Sequence, residues 1–139
     1  MSDDLDASKR SLRALHQAMG DFHVLAWDAN AKALTAGFTV RREFCHTNAT
    51  IAQGGFITAW LDAAMATAVL YDSDKHLNVA SLEIKVTFLE RVGPGPGKAI
   101  GRIVRRGNRV AFLTGDLFNA DGKLAAQATS TGLIIPMPT

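Results

Sequence analysis

The sequence has few of the residues that build disulfides, metal sites and targeting signals. It has one cysteine, Cys45, so an internal disulfide is excluded. Its four histidines show none of the close spacings that zinc sites use, and we expect no metal, no redox role and no bound cofactor. The first ten residues lack a basic stretch followed by an apolar core, and Asp62 interrupts the longest apolar run. We therefore expect no signal peptide, no membrane span or membrane partner, and a cytoplasmic location.

Charge of either sign is also scarce. Charged residues make up 20% of the chain and the net charge is +2, which does not favour a nucleic-acid surface. The one local excess is a cluster of arginines between residues 102 and 109, which suggests an anion site. Apolar residues make up 47%, as in a globular protein, and 139 residues fit a single domain spanning 1–139.

Helical and strand periodicities divide the first half of the chain. Leucines and a methionine at helical spacing predict a short amphipathic helix over 7–19, with Asp6 or Ser8 as N-cap and Gly20 as stop, so residues 1–20 form an N-terminal helical extension. Residues 22–27 and 33–44 read as a strand hairpin. Residues 46–53 are expected to form a loop.

A long apolar run, Phe56 to Leu70, follows the glycine pair Gly54-Gly55 and carries one charge, Asp62. Its length and composition predict a helix that other structure must surround, because an all-round apolar helix does not face water. A carboxylate is costly to bury without partners, so Asp62 is either structurally paired or functional. One structural reading pairs it with the hydroxyl of Thr58, four residues earlier.

Strands account for the second half. Residues 78–92 alternate, and one side of the alternation is expected to be core: Ala80, Leu82, Ile84, Val86 and Phe88. Three further strands, over 98–104, 110–118 and 124–135, are separated by turn residues and predict an antiparallel meander. The expected fold class is α+β, with a curved antiparallel sheet of five to six strands wrapped around one long central helix.

The glycine pair and Asp62 together suggest chemistry. Free backbone amides at a helix N-terminus could hold a carbonyl oxygen or an oxyanion, although two glycines also serve a tight loop-to-helix turn. Asp62 follows Gly54 by eight residues, on about the same side of the helix but about 12 Å along its axis. If two copies pack with these helices antiparallel, the Gly54 end of one approaches the Asp62 of the other, which predicts a composite site in a homodimer.

The stretch from Asn48 to Asp62, NATIAQGGFITAWLD, resembles the signature of hotdog-fold thioesterases of the phenylacetic-acid-degradation (PaaI-like) family, in which Asn, His-Gly-Gly and Asp follow in that order. The similarity extends from Phe22 to Ile135. It implies a hotdog fold, a continuous sheet across two subunits, an active site between them, and an acyl-CoA substrate.

The resemblance also implies roles for single residues. Asp62 would be general base or nucleophile, Gly54 the amide donor to the thioester carbonyl, and Asn48 the group that positions water or substrate. Ser81 matches a strand hydroxyl that assists the acid. Gln53 stands where histidine is common and, since glutamine cannot shuttle a proton, it is interpreted as an orienting group. A loop one residue shorter than usual leaves His46 as a competitor for the place of Asn48.

We expect substrate contacts from Gln53, Gly55, Arg105, Arg106 and Arg109. The guanidinium groups of the arginines match the phosphates of coenzyme A. Coenzyme A is here part of the substrate and not a cofactor. The predicted activity is hydrolysis of an acyl-CoA thioester to free acid and coenzyme A by a homodimer or homotetramer. Two alternatives stay open on the same fold: an acyl-thioester hydratase or dehydratase, and a non-catalytic acyl-CoA binding module.

Overall fold

The computed structural model describes residues 2–137, with side chains from residue 6 onward. Residues 1, 138 and 139 of the predicted domain lie outside this range. The described residues form two α-helices and eight strands, listed here in chain order: α1 (Ser2–Ala18), β1 (His23–Asp28), β2 (Ala33–Val40), β3 (Cys45–His46), β4 (Ile51–Ala52), α2 (Gly54–Asp72), β5 (Leu77–Phe88), β6 (Gly95–Arg106), β7 (Val110–Phe118) and β8 (Leu124–Pro136).

Six of these strands make one antiparallel sheet in the order β1-β2-β6-β7-β8-β5, and β3 with β4 forms a separate small hairpin. The predicted meander is the β6-β7-β8 run. β5 follows α2 in the chain and forms the edge of the sheet next to β8. The α+β class and the sheet wrapped around one long helix are confirmed.

α2 packs on the sheet through one continuous face. The buried side chains of this face are Ile57, Trp60, Leu61, Ala64, Met65, Ala68 and Val69. The spacing of three and four residues is that of a helix with one apolar stripe against a core. Beneath it, Gly101 and Gly115 are cross-strand partners. A Cβ at Gly101 would collide with the main chain of Ala64, so the helix can lie this close only because the sheet carries glycine there.

In the first half of the chain three boundaries differ from the sequence prediction, and in the second half β5 ends at Phe88 and β6 already begins at Gly95. α1 begins at Ser2, so Asp6 and Ser8 lie inside the helix and neither caps it. β2 ends at Val40, and the residues up to Phe44 form a 3₁₀ turn that buries the Phe44 ring in the core. The predicted loop at 46–53 contains the β3-β4 hairpin.

The expectation that other structure surrounds α2 is met on one side only by the described residues. The side away from the sheet, which includes Ala59, Ala63 and Ala66, is only half-buried. By length and composition alone the helix would pass for a membrane span. One face of it is the core of the domain, and the other is left without a complete covering by the described residues.

The strict alternation predicted for β5 is also wrong. The pairing with β8 shifts register between Ser81 and Glu83, which makes Leu82 the extra residue of a β-bulge, 60% exposed. On the far side of the bulge Ile84 still faces α2. Before the bulge the helix-facing residue is Ser81, the partner of Gly132, and not Ala80. The bulge therefore puts a polar residue of β5 on the core side of the sheet.

Candidate active site

The N-terminus of α2 presents free backbone amides. Gln53 is the N-cap residue, and its side chain makes no capping hydrogen bond. Its carbonyl accepts the N–H of Phe56 at 3.0 Å, whereas within residues 2–137 no hydrogen bond uses the N–H of Gly54 or Gly55. A Ser, Thr, Asp or Asn cap would occupy an amide of this turn. Without one, the positive end of the helix dipole remains open to an oxygen ligand.

An aromatic ring lies directly beside these amides. Phe88, the last residue of β5, would have its ring Cζ 3.1 Å from a Cβ built on Gly54. The ring is 54% exposed, so it is a wall of an open site and not a core side chain. A Cβ on Gly55 would meet only the side-chain oxygen of Gln53, at 4.0 Å. Gly54 is thus needed for space, while Gly55 has room beside it.

Asp62 lies in the third turn of α2 and receives a hydrogen bond from β5. Ser81 Oγ donates to Asp62 Oδ1 at 2.6 Å, a short hydrogen bond of the kind that a carboxylate accepts from a hydroxyl. The Leu82 bulge is what turns this serine toward the helix. Thr58, the alternative partner, donates instead to the carbonyl of Gly54 at 2.8 Å. The hydroxyl partner of Asp62 is therefore Ser81 and not Thr58.

Within one chain the acid and the amides remain apart. We call Asp62 with Ser81 the acid half of the site, and Gly54 with Gly55 the amide half. Eight helical residues separate Gly54 from Asp62, which is about 12 Å along the axis and too far for both to touch one thioester group. A single chain therefore does not bring the predicted acid and the predicted amides to one place.

The hairpin of β3 and β4 carries Asn48 at its tip. Asn48 is exposed, and it lies in a run of three left-handed residues, Thr47, Asn48 and Ala49, with φ of 54°, 56° and 58°. Asparagine tolerates this conformation, but a β-branched threonine does not adopt it without strain. His46 is engaged with the hydroxyl of Thr47 at 2.9 Å. Asn48 thus has the freer side chain of the two candidates for this position.

Cys45, at the start of the same hairpin, is half-buried. Burial raises the pKa of its thiol, and the positive charge of Arg42 opposes this to a smaller extent. The thiol hydrogen points to the carbonyl of Arg41, with the two heavy atoms 3.6 Å apart. A raised pKa favours the protonated thiol, which is the less nucleophilic form.

The arginines lie at the other end of α2. Arg106 donates through Nε to Asp72, the last residue of the helix, at 2.9 Å, and Lys32 lies 3.5 Å from the same carboxylate. Arg105, near the end of β6, and Arg109, in the turn before β7, are exposed nearby. The length of α2 separates this end from Gly54 by about 27 Å. In one chain the structure does not bring the predicted phosphate contacts together with the glycine amides.

The sequence does not predict two features of the site, the position of Phe88 and the bulge at Leu82. Phe88 looked like a core residue of an alternating strand, and nothing in its neighbours indicates contact with Gly54. The bulge at Leu82 was equally hidden, because Ser81-Leu82-Glu83-Ile84 keeps the polar and apolar alternation of a regular strand. Among residues 2–137 no cluster of three or more histidine, cysteine, aspartate or glutamate residues could hold a metal ion.

An antiparallel sheet around one helix, with free amides at the helix start and a hydrogen-bonded acid two turns later, defines the hotdog class expected from the sequence. The chain belongs to the thioesterase superfamily, a family of thioester hydrolases, whose family model matches residues 50–126. The recognition made from the sequence and the hotdog fold are thereby confirmed.

Individual relatives agree with this placement. A protein of Saccharolobus solfataricus with a provisional esterase name is 31% identical over 85 residues, which are 61% of this chain and 60% of that protein's length. The crystal structure of a phenylacetic acid degradation-related protein of Ralstonia eutropha JMP134 superposes with a TM-score of 0.78 at 28% identity, covering 86% of this chain and 89% of the other. The protein smu.793 of Streptococcus mutans UA159, solved bound to acetyl CoA, gives 0.72 at 17% identity, covering 85% and 91%.

Proposed function

We propose that this protein hydrolyses acyl-CoA thioesters to a free carboxylic acid and coenzyme A. The observation that carries the proposal is the 2.6 Å hydrogen bond from Ser81 to Asp62, the only charged side chain in the first seventeen residues of α2. The hydroxyl fixes one carboxylate oxygen and leaves the other for chemistry. The acetyl CoA bound to the Streptococcus mutans relative supports a CoA thioester as the substrate class.

The residue types match the reaction. The amides of the first helical turn hold the carbonyl oxygen and stabilise the negative charge that develops on it. Asp62 either takes a proton from the attacking water or attacks the carbonyl carbon itself, forming an anhydride that water then opens. In both routes the C–S bond breaks, one water is consumed, and the leaving thiolate takes up a proton.

The complete site in this proposal needs a second copy of the chain. With two α2 helices antiparallel, Asp62 of one copy lies opposite Gly54 of the other. Two features support the pairing. β5 ends the described sheet and pairs on one side only, with β8, while Leu82 and Phe88 on it are more than half exposed. The half-buried alanine side of α2 is the second feature, because the described residues do not cover it completely. We call the β5 edge and this side of α2 the two unfinished surfaces.

The remaining predicted residues take supporting roles. Asn48 at the hairpin tip positions water or substrate, and Gln53 orients the acyl group next to the amides. In an antiparallel dimer, the C-terminal end of α2 in the second copy, where the arginines lie, is directed toward Gly54 of the first copy. We therefore assign Arg105 and Arg109 of that second copy to the coenzyme A phosphates, while Arg106 mainly holds Asp72.

The test is release of free thiol from a panel of acyl-CoAs by the wild type and by Asp62→Asn. We expect the variant to lose about 100-fold or more of kcat, the range for removal of a general base. Asp74→Asn is the matched control, because Asp74 is exposed just beyond α2 and its φ of 52° suits asparagine. Activity of this control should equal that of the wild type.

Other outcomes would point elsewhere. Undiminished thiol release by Asp62→Asn would remove Asp62 from the mechanism. Tight acyl-CoA binding with no turnover across the panel would favour the binding module. Hydration of a double bond without thiol release would favour the hydratase.

A further inference from the structure

A buried serine on β8, Ser130, lies beside the bulge at which the side chains of β5 shift their alternation. Ser130 is 4% exposed and is the one polar residue in the buried core of the described chain. Its backbone pairs with Ile84, two residues beyond the extra residue Leu82. The hydroxyl does not bond within its own strand. It donates to the carbonyl of Glu83 at 2.8 Å, immediately after the bulge.

The neighbours of Ser130 make a hydroxyl there unusual. The helix-facing residues of β8 on either side of it are small and apolar, Ala128 and Gly132. A hydroxyl buried among such residues is costly unless it is hydrogen-bonded. A bulge locally disrupts the ladder of hydrogen bonds between strands. The Ser130 hydroxyl supplies an additional cross-strand bond at that point.

The bulge in turn sets the direction of Ser81. Side chains of a strand alternate between faces, so with Ile84 directed at the core an unbulged strand would direct Ser81 away from α2. The extra residue restores Ser81 to the helix side, opposite Gly132, where its hydroxyl reaches Asp62. The chain of contacts runs from Ser130 to the Glu83 carbonyl, through the bulge, to Ser81 and the carboxylate.

We propose that Ser130 is a positioning residue, which holds the Leu82 bulge and thereby keeps the Ser81 hydroxyl on Asp62. It touches neither substrate nor the reacting atoms. The catalytic part of this inference rests on the proposed thioesterase function, but the structural part does not.

The structural experiment is a crystal structure of Ser130→Ala. We expect loss of the register shift between Ser81 and Glu83, or loss of the hydrogen bond from Ser81 to Asp62. Ser73→Ala is the matched control, since Ser73 donates the same kind of bond to the carbonyl of Leu70 at 3.1 Å, at the other end of α2. A Ser130→Ala structure that retains both the register shift and the hydrogen bond overturns the proposal.

The kinetic experiment asks whether Ser130 acts through Ser81. We expect Ser130→Ala to lower kcat about tenfold with KM little changed, the effect of one lost hydrogen bond to a charged group, and Ser73→Ala to leave kcat unchanged. In a Ser81→Ala background the Ser130 substitution should have no further effect on kcat. An equal loss in both backgrounds overturns the proposal.

Removal of Leu82 should compensate for the loss of the Ser130 hydroxyl. Without the extra residue, regular pairing keeps Ser81 and Ile84 on the helix side, so a chain lacking Leu82 no longer needs Ser130. We expect the chain with Leu82 removed and Ser130→Ala to regain kcat, or to regain folding if Ser130→Ala alone does not fold. Failure of this rescue overturns the proposal. If the wild type releases no thiol, the thioesterase function fails and the crystal structures still decide the role of Ser130.

Discussion

Gly54 shows how a missing side chain defines the amide half of the site. The residue is the first of α2, its N–H is free, and the ring of Phe88 closes over it. Nothing about its backbone requires glycine, because its φ is not positive. A side chain at this position would occupy the space between Gly54 and the Phe88 ring. The closeness of the Phe88 ring, and not turn geometry, explains this glycine.

Gly54→Ala should therefore impair catalysis more than stability. The new Cβ would lie 3.1 Å from Phe88 Cζ, so it would crowd the ring and fill space beside the amides that would hold the thioester oxygen. We expect kcat/KM to fall about 10- to 100-fold, less than the about 100- to 1,000-fold cost of removing an oxyanion donor, because the amide itself remains. The midpoint of denaturation should change little, since alanine favours the helical state.

The comparison variant for this prediction is Gly55→Ala. A Cβ at Gly55 enters open space and leaves the backbone amide in place. Its loss in kcat/KM should be clearly smaller than that of Gly54→Ala, measured on the same acyl-CoA. Equal losses would mean that the conformational freedom of the glycine pair, and not the space beside Phe88, is what matters.

At the scale of elements, periodicity was sufficient for α2 and for the β6-β7-β8 meander. Their patterns depend on local sequence, since the turns at Gly107-Asn108 and Asp121-Gly122 interrupt a simple alternation. β5 was different. Its bulge depends on a bond from Ser130, 47 positions further along the chain, and no local pattern reports such a contact. The alternation of β5 therefore predicted the wrong face for Ser81, whereas the family resemblance implied its contact with Asp62, which the structure shows.

Glycine in the sheet fixes how closely α2 lies on it. Gly101 and Gly115 face each other across β6 and β7 beneath the helix, but they meet different atoms. A Cβ at Gly101 would press on the backbone at Ala64, which cannot yield without moving the helix. A Cβ at Gly115 would meet the side chain of Leu61 at 3.1 Å, which can rotate.

Gly101→Ala should therefore destabilise the protein more than Gly115→Ala. We expect the first to lower the free energy of unfolding by about 1–3 kcal/mol or more, the usual cost of overpacking a core, and the second to lower it by less. Chemical denaturation of the two variants, followed by circular dichroism, measures the difference. Equal costs would show that α2 shifts readily on the sheet.

At the scale of the whole molecule, the two halves of the site explain the two unfinished surfaces. An edge strand with exposed apolar side chains is usually covered or paired in a native protein. β5 contributes both Ser81 of the acid half and Phe88 beside the amide half. A partner that pairs along β5 would bring its own acid half to this edge, and the same contact would cover the alanine side of α2.

A site shared in this way can be divided between two variants of reduced activity. Gly54→Ala damages only the amide half and Asp62→Asn only the acid half. A dimer with one chain of each has one site in which both halves are intact, and a second in which both are damaged. After unfolding and refolding an equal mixture, half the dimers are of this kind, so roughly one quarter of wild-type sites should be active.

Mixing Asp62→Asn with Ser81→Ala supplies the control, because both substitutions damage the acid half and every site in the mixed dimer contains one of them. Thiol release by this mixture should stay at the mean of the two separate variants. Thiol release by the first mixture should rise well above that of either parent. If the amides and the acid act within one chain, the first mixture recovers nothing, and the second copy has no place in the reaction.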